Sequence, residues 1–255
     1  MKSEHMVIVS NDDGIGAPGI EALEELLGQG ADCLVIAPDG PRSGIGHALS
    51  DASELQVERI ASNRVSVSGT PADCARLALA PGSPLSVVSQ QARKDRDCWL
   101  VSGINHGANL GVDTYVSGTA AAAREAAILG FPAIAISQYV ARHRTVDWGQ
   151  TARMARPILK QLFARPPAPG AFWNVNLPHP VREIPETPVV FCEPDPSPHP
   201  IQYEKTGERF RYSGDYHARP RLRGHDVDIC LGGAIAVSEV HLFGPTVDSL
   251  RRETD

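Results

Sequence analysis

Residues 6–14 read MVIVSNDDG, and this stretch decides the fold. Met6–Ser10 is an unbroken apolar run of strand length. Without polar alternation, such a run belongs to a strand covered on both faces. A polar turn follows, and then Pro18–Leu27 shows helical spacing, with Pro18 in its first turn and Gly28 and Gly30 beyond its end. The same alternation continues outward. Cys33–Ala37, Arg64–Ser68, Cys98–Ser102, Ala133–Ser137 and Phe172–Leu177 read as strands. Pro71–Ala80, Ser117–Leu129 and Val146–Phe163 read as helices, the second alanine-rich, capped by Ser117 or Thr119 and stopped by Gly130. Apolar strands separated by helices predict an α/β fold: a Rossmann-like, mostly parallel sheet with helices on both faces. After Pro166 the texture becomes proline-rich, and hairpins are expected at Ile201–Tyr212 and Val227–Val237. The reading is one domain over 1–255, with a Rossmann-like core at 1–165 and a C-terminal strand and β-hairpin appendage at 166–255.

Composition limits the function. The chain has 255 residues, 42% of them hydrophobic, enough for a sizeable core. Its formal net charge of −6 argues against binding a nucleic-acid duplex, which needs a cationic face. Five scattered cysteines without a C-x-x-C pair read as reduced thiols of a cytoplasmic protein. Met1–His5 forms a polar lead rather than an apolar leader. No run reaches transmembrane length, so no membrane partner is expected.

The chemistry concentrates at strand ends, where open parallel sheets bind ligands. Asp12 and Asp13 follow the first strand. Adjacent carboxylates repel unless a cation neutralises them, and hard oxygen donors suit magnesium or manganese. Alone, the pair also fits a solvated Asp-Asp-Gly turn. Three further loops are expected at the same edge. Pro38–Gly44 brings Arg42 for a phosphate and the Ser43 hydroxyl. Ser102–Gly111 brings the neutral donors Asn105 and Asn109. Ser117, Gly118 and Thr119 open the alanine-rich helix, whose free N–H groups and positive dipole end suit a phosphate. His47 and His106 lie in these loops, within reach of a leaving group or serving as plain loop histidines.

Gly14–Gly19 also matches G-x-G-x-x-G, with Asp39 at the end of the next strand, a dinucleotide pattern. Against it, Asp12 and Asp13 would stand beside the pyrophosphate with no cation to relieve them, and Pro18 crowds the turn. The acids are adjacent rather than Asp-x-Asp, and no G-x-S-x-G elbow ends a strand, which disfavours haloacid-dehalogenase and serine-hydrolase chemistry.

Taken together, Ser10–Ile15 with Ala17–Gly19, Ala37–Asp39 with Arg42–Gly44, Gly69–Pro71 with Asp73 and Cys74, Val101–Asn105 with Gly107, Asn109 and Gly111, and Ser117–Glu125 resemble the SurE family of metal-dependent 5′/3′-nucleotidases. Pro169-Gly170 and Asn174–Pro178 extend the resemblance. It implies one divalent ion (Mg²⁺ or Mn²⁺) per subunit on Asp12, Asp13, Ser43 and Asn105. Asn109, Ser117, Gly118 and Thr119 would line the phosphate pocket, with Asp12, Asp13, Asn109 and Ser117 as the catalytic set. The implied reaction is phosphomonoester hydrolysis of nucleoside 5′- or 3′-monophosphates, by a homodimer or homotetramer built through the C-terminal segment. The alternatives are an NAD(P)-binding oxidoreductase and a non-catalytic nucleotide-binding homologue. The tail departs from the family pattern: His225 stands where threonine is expected before Asp226 and Asp228, and residues 236–240 replace the usual closing motif. Gly16 is smaller than the side chain expected there.

Overall fold

The unbroken apolar runs end up where their composition requires, in the interior of one sheet. The computed structural model describes residues 6–28, 33–86, 97–179 and 187–244; the lead Met1–His5 and Gly30 lie outside them. Six strands are parallel: β1 (Met6–Ser10), β2 (Cys33–Pro38), β4 (Arg64–Val67), β5 (Cys98–His106), β6 (Ala133–Gln138) and β7 (Ala171–Leu177). β3 (Val57–Ala61) pairs antiparallel with β4 at one edge. At the other edge β11 (Ile235–His241) pairs antiparallel with β7 and parallel with β8 (Val189–Phe191). The order across the sheet is β3-β4-β2-β1-β5-β6-β7-β11-β8. A separate hairpin joins β9 (Tyr203–Thr206) to β10 (Arg209–Tyr212).

Helices cover both faces, as the strand composition predicts. On one face α1 (Pro18–Gly28) and α4 (Trp148–Phe163) bury Ile20, Leu23, Leu27, Ile158, Leu159 and Leu162 against Val7, Val9 and Val101. Each such side chain stabilises the fold by about 1.5–3 kcal/mol. On the other face α2 (Pro71–Leu79) and α3 (Gly118–Ile128) pack against Ile8, Ile36 and Leu100. The contact there is made by Ala75, Ala78, Ala120, Ala122, Ala123 and Ala126, and these small side chains let the helices lie close to the sheet and to each other. A capping box between Thr70 and Asp73 starts α2, and Ser117 caps α3 by accepting from Ala120 N.

Two expectations are corrected. Val227–Val237 is not a hairpin. It contains a short helix, α5 (Asp226–Leu231), and then the first residues of β11. Val227, Ile229 and Leu231 alternate as in a strand, but the buried residues are Asp226, Val227 and Cys230, at helical spacing. β3 has no buried face for a pattern to mark, because all five of its residues, Val57 and Ile60 included, are exposed. The helix expected from Val146 starts at Trp148, with Asp147 as its cap. No helix among the described residues is long and apolar enough to cross a membrane.

Candidate active site

Strands β1 and β5 lie side by side, but the chain leaves them in opposite directions: from β1 to β2 and β4, from β5 to β6 and β7. Their loops therefore diverge and leave a crevice at the carboxyl edge, the usual ligand position in such sheets. Asp12 and Asp13 stand in this crevice.

Asp12 is buried. The Thr119 hydroxyl donates to its Oδ1, and the Gly118 N–H at the start of α3 also supports the carboxylate. Gly118 has to be glycine: a Cβ there would come within 2.6 Å of Asp12 Cβ. Asp13 is half-buried and accepts the His106 backbone N–H at 3.0 Å. Burial, reinforced by the neighbouring Asp13, pushes the Asp12 carboxyl above its ordinary range despite the Thr119 bond. Burial likewise raises Asp13, against the His106 N–H. Among the described residues, neither carboxylate forms an ion pair with a lysine or arginine.

The loops carrying the neutral donors reach this pair through the residues next to them. Arg42 N–H donates to the Asp12 carbonyl at 2.7 Å, so the exposed Ser43 follows directly on that bond. The Arg42 guanidinium turns away, to Asp39 at 2.6 Å and to the Pro41 and Ser68 carbonyls. Asn105 directly precedes His106, whose N–H binds Asp13; its own amide donates to the Gly107 carbonyl at 2.8 Å, leaving Oδ1 as the acceptor end.

A bulge explains how Asn105 comes to lie on its face. Ser102 pairs with Ala135 and Asn105 with Ser137, so β5 has one residue more than β6 in this interval. Ile104 thereby drops into the α1/α4 core, while Asn105 shares the face of Ser137. Gly103 makes the bulge possible at φ +143°, where a Cβ would meet the Ile136 carbonyl at 2.2 Å.

Asn109 is fixed from β7. Its N–H donates to Asn176 Oδ1 at 2.8 Å, its carbonyl accepts from Asn174 and Asn176, and its amide reaches Ser137 Oγ at 2.9 Å. Ser117 Oγ accepts from Ala120 N at 3.0 Å, so its hydroxyl proton is left to donate. Ser10 at the end of β1 and its register partner Ser102 within β5 bury hydroxyl oxygens that have no hydrogen-bond partner among the described residues.

No group of three or more His, Cys, Asp or Glu side chains capable of holding a metal occurs among the described residues. A cation at the aspartate pair would thus be completed by neutral oxygens. The two carboxylates, with the Ser43 hydroxyl and the Asn105 amide oxygen next along the two bonded loops, are all oxygen donors, the chemistry a hard divalent ion prefers. The dinucleotide alternative loses its donors. Gly14 N–H goes to Asn11 Oδ1, Ile15 N–H to the Pro38 carbonyl and Ala17 N–H to the Gly14 carbonyl, so little of the glycine loop is left for a pyrophosphate.

Sequence reasoning missed the supports of the site. Asp113 accepts from Leu110 N–H at 2.9 Å, Arg219 at 2.7 Å, the Tyr216 hydroxyl at 3.0 Å and the His199 ring. Its carbonyl receives the Ser117 N–H. This cluster ties the C-terminal segment to the loop that carries Asn109 and Ser117. Its only sequence signal is Asp113, three residues after Leu110, in a local capping position. His47 also has a structural partner, Glu125 at 2.8 Å, and Arg76 holds the other Glu125 oxygen at 2.5 Å.

A family model described as "Survival protein SurE" matches residues 7–193. A provisionally named 5′-nucleotidase of Synechocystis is 43% identical over 92% of this chain and 99% of its own length. The 5′-nucleotidase SurE of Heliobacterium modesticaldum is 35% identical over 97% of this chain and 89% of its own. The crystal structure of the SurE protein from Aquifex aeolicus superposes with a TM-score of 0.77 at 27% identity, covering 98% of this chain and all of that one.

Proposed function

The chain belongs to the SurE family, and from that premise we infer that it is a 5′-nucleotidase, a phosphoric monoester hydrolase acting on nucleoside monophosphates. One observation carries the reading: two neighbouring carboxylates, one buried and one half-buried and neither paired with a lysine or arginine among the described residues, stand at the switch point of the sheet beside a helix N-terminus.

We assign Asp12, Asp13, Ser43 and Asn105 to hold one divalent cation, Mg²⁺ or Mn²⁺. Bound there, the ion supplies positive charge against the phosphoryl oxygens and activates water for attack. The chain's own residues do the rest. Thr119, Gly118 and His106 orient the two carboxylates through their hydroxyl and N–H groups. The Ser117 hydroxyl, the Asn109 amide and the N-terminus of α3 donate to phosphate oxygens as charge develops on them. Asn174 and Asn176 hold Asn109 in place. Arg42 reaches the phosphate by exchanging its Asp39 partner. The exposed hairpin, with Tyr203, Phe210 and Tyr212 largely solvent-facing, supports assembly as a homodimer or homotetramer, and the free cysteines support a cytoplasmic location.

Phosphate release from a panel of nucleoside 5′- and 3′-monophosphates, measured with Mn²⁺ or Mg²⁺ and again with chelator, tests the assignment. Turnover that chelation abolishes is expected. Turnover indifferent to chelator, or none with either ion, overturns it.

A further inference from the structure

Beside Asp13 a cleft of about 460 Å³ opens between the residue 13–19 turn, the residue 39–41 turn and the start of α4. That volume lies within the range of small-molecule sites. Its lining is mostly carbon, with Gly16, Pro41, His106 and Trp148 prominent, and its two charged groups, Asp13 and Asp39, are both acidic. Away from a cation at Asp13, such a lining offers a phosphate no lysine or arginine. An uncharged aromatic group joined to that phosphate needs none.

Trp148 is built as a platform. It is half-buried and packs against the α1/α4 core. A Cβ on Gly19 would lie 3.0 Å from its Cη2 and Cζ3, so the ring rests on bare backbone. The His106 ring stands 6.3 Å away, tilted by 50°. Gly16, which lines the same cleft, is exposed, and a Cβ built there would meet nothing within 4 Å. Asp39 Oδ1 accepts from Arg42, which leaves Oδ2 to accept a sugar hydroxyl.

We propose that this cleft is the leaving-group pocket, with the nucleobase stacked on the indole of Trp148 and admitted past Gly16. The proposal rests on the nucleotidase reading and adds which residues select the substrate. Base–aromatic stacking of about 1–3 kcal/mol corresponds to a roughly 5- to 150-fold effect.

The test compares kcat/KM for AMP with kcat/KM for ribose 5-phosphate, in saturating Mn²⁺, for the wild type, Trp148→Ala, Trp148→Phe and Gly16→Leu. The AMP/ribose 5-phosphate ratio is expected to fall about fivefold or more in Trp148→Ala, mainly through KM, and to recover in Trp148→Phe. Gly16→Leu places its side chain in open space and leaves the core untouched, so it gives an answer even if Trp148→Ala fails to fold; the same fall is expected. A ratio within about twofold of wild type in Gly16→Leu and in every folded Trp148 variant overturns the pocket while leaving the nucleotidase reading intact. A wild type that releases no phosphate from AMP overturns both.

Discussion

Asp12 and Asp113 are both buried carboxylates in loops at the carboxyl edge of the sheet, yet their surroundings are opposite. Asp113 takes hydrogen bonds from an arginine, a histidine, a tyrosine and a backbone N–H. Asp12 has a hydroxyl, a helix N-terminus and a second carboxylate as its neighbour. The fold completes one site internally and leaves the other short of positive charge. A buried carboxylate left in that condition is poised for a cation, whereas a fully paired one holds structure together. Glu125 belongs with Asp113. Burial alone would raise it, but the bonds from His47 and Arg76 outweigh burial and hold it below its ordinary range.

The sharpest way to break this contrast is Asp12→Asn. Turnover with Mn²⁺ should fall at least about a hundredfold. Thermal stability without metal should not fall, because the change removes a like-charge neighbour. Added Mn²⁺ should raise the melting temperature of the wild type and not that of the variant. Next in size is Arg219→Met. It strips the buried partner from Asp113 and should cost about 3 kcal/mol in urea unfolding; a loss below about 1 kcal/mol would put Asp113 in the same class as Asp12.

Glu125 sharpens the comparison through pH. Its folded pKa lies below the ordinary 4.5, so its contribution is fully present above that value. The contribution is lost as pH falls through the lower folded value. Glu125→Gln should therefore flatten the loss of stability on acidification below about pH 4.5, read from melting temperatures across that range. The smallest effect belongs to the exposed pair Arg142–Asp215. Arg142→Ala should leave the melting temperature unchanged, since water already solvates both groups.

Much of this contrast was legible in the sequence, and unevenly. The parallel core could be read because Met6–Ser10, Cys33–Ala37 and Ala133–Ser137 are buried on both faces and so uniformly apolar. The aspartate pair stood out because nothing apolar or basic explains it. The bulge at Gly103–Ile104 was not legible, since one extra residue changes which face Asn105 occupies without changing the pattern. The Asp113 cluster was hidden for another reason. Its partners His199, Tyr216 and Arg219 lie about a hundred residues away in a proline-rich stretch with no periodicity, and only tertiary contact brings them together. α5 is hidden because Val227, Ile229 and Leu231 alternate as a strand would.

The side-by-side position of β1 and β5 also has a consequence for biosynthesis. Asp12 emerges from the ribosome early, but its supports Thr119 and Gly118 and its neighbour's support His106 are made about ninety or more residues later. A nascent chain halted before β5 therefore carries two carboxylates with neither helix end nor loop to hold them. A cation held on this pair as the folded chain orients it would have to wait until translation has passed α3, and so would stabilise the folded chain rather than template its early folding.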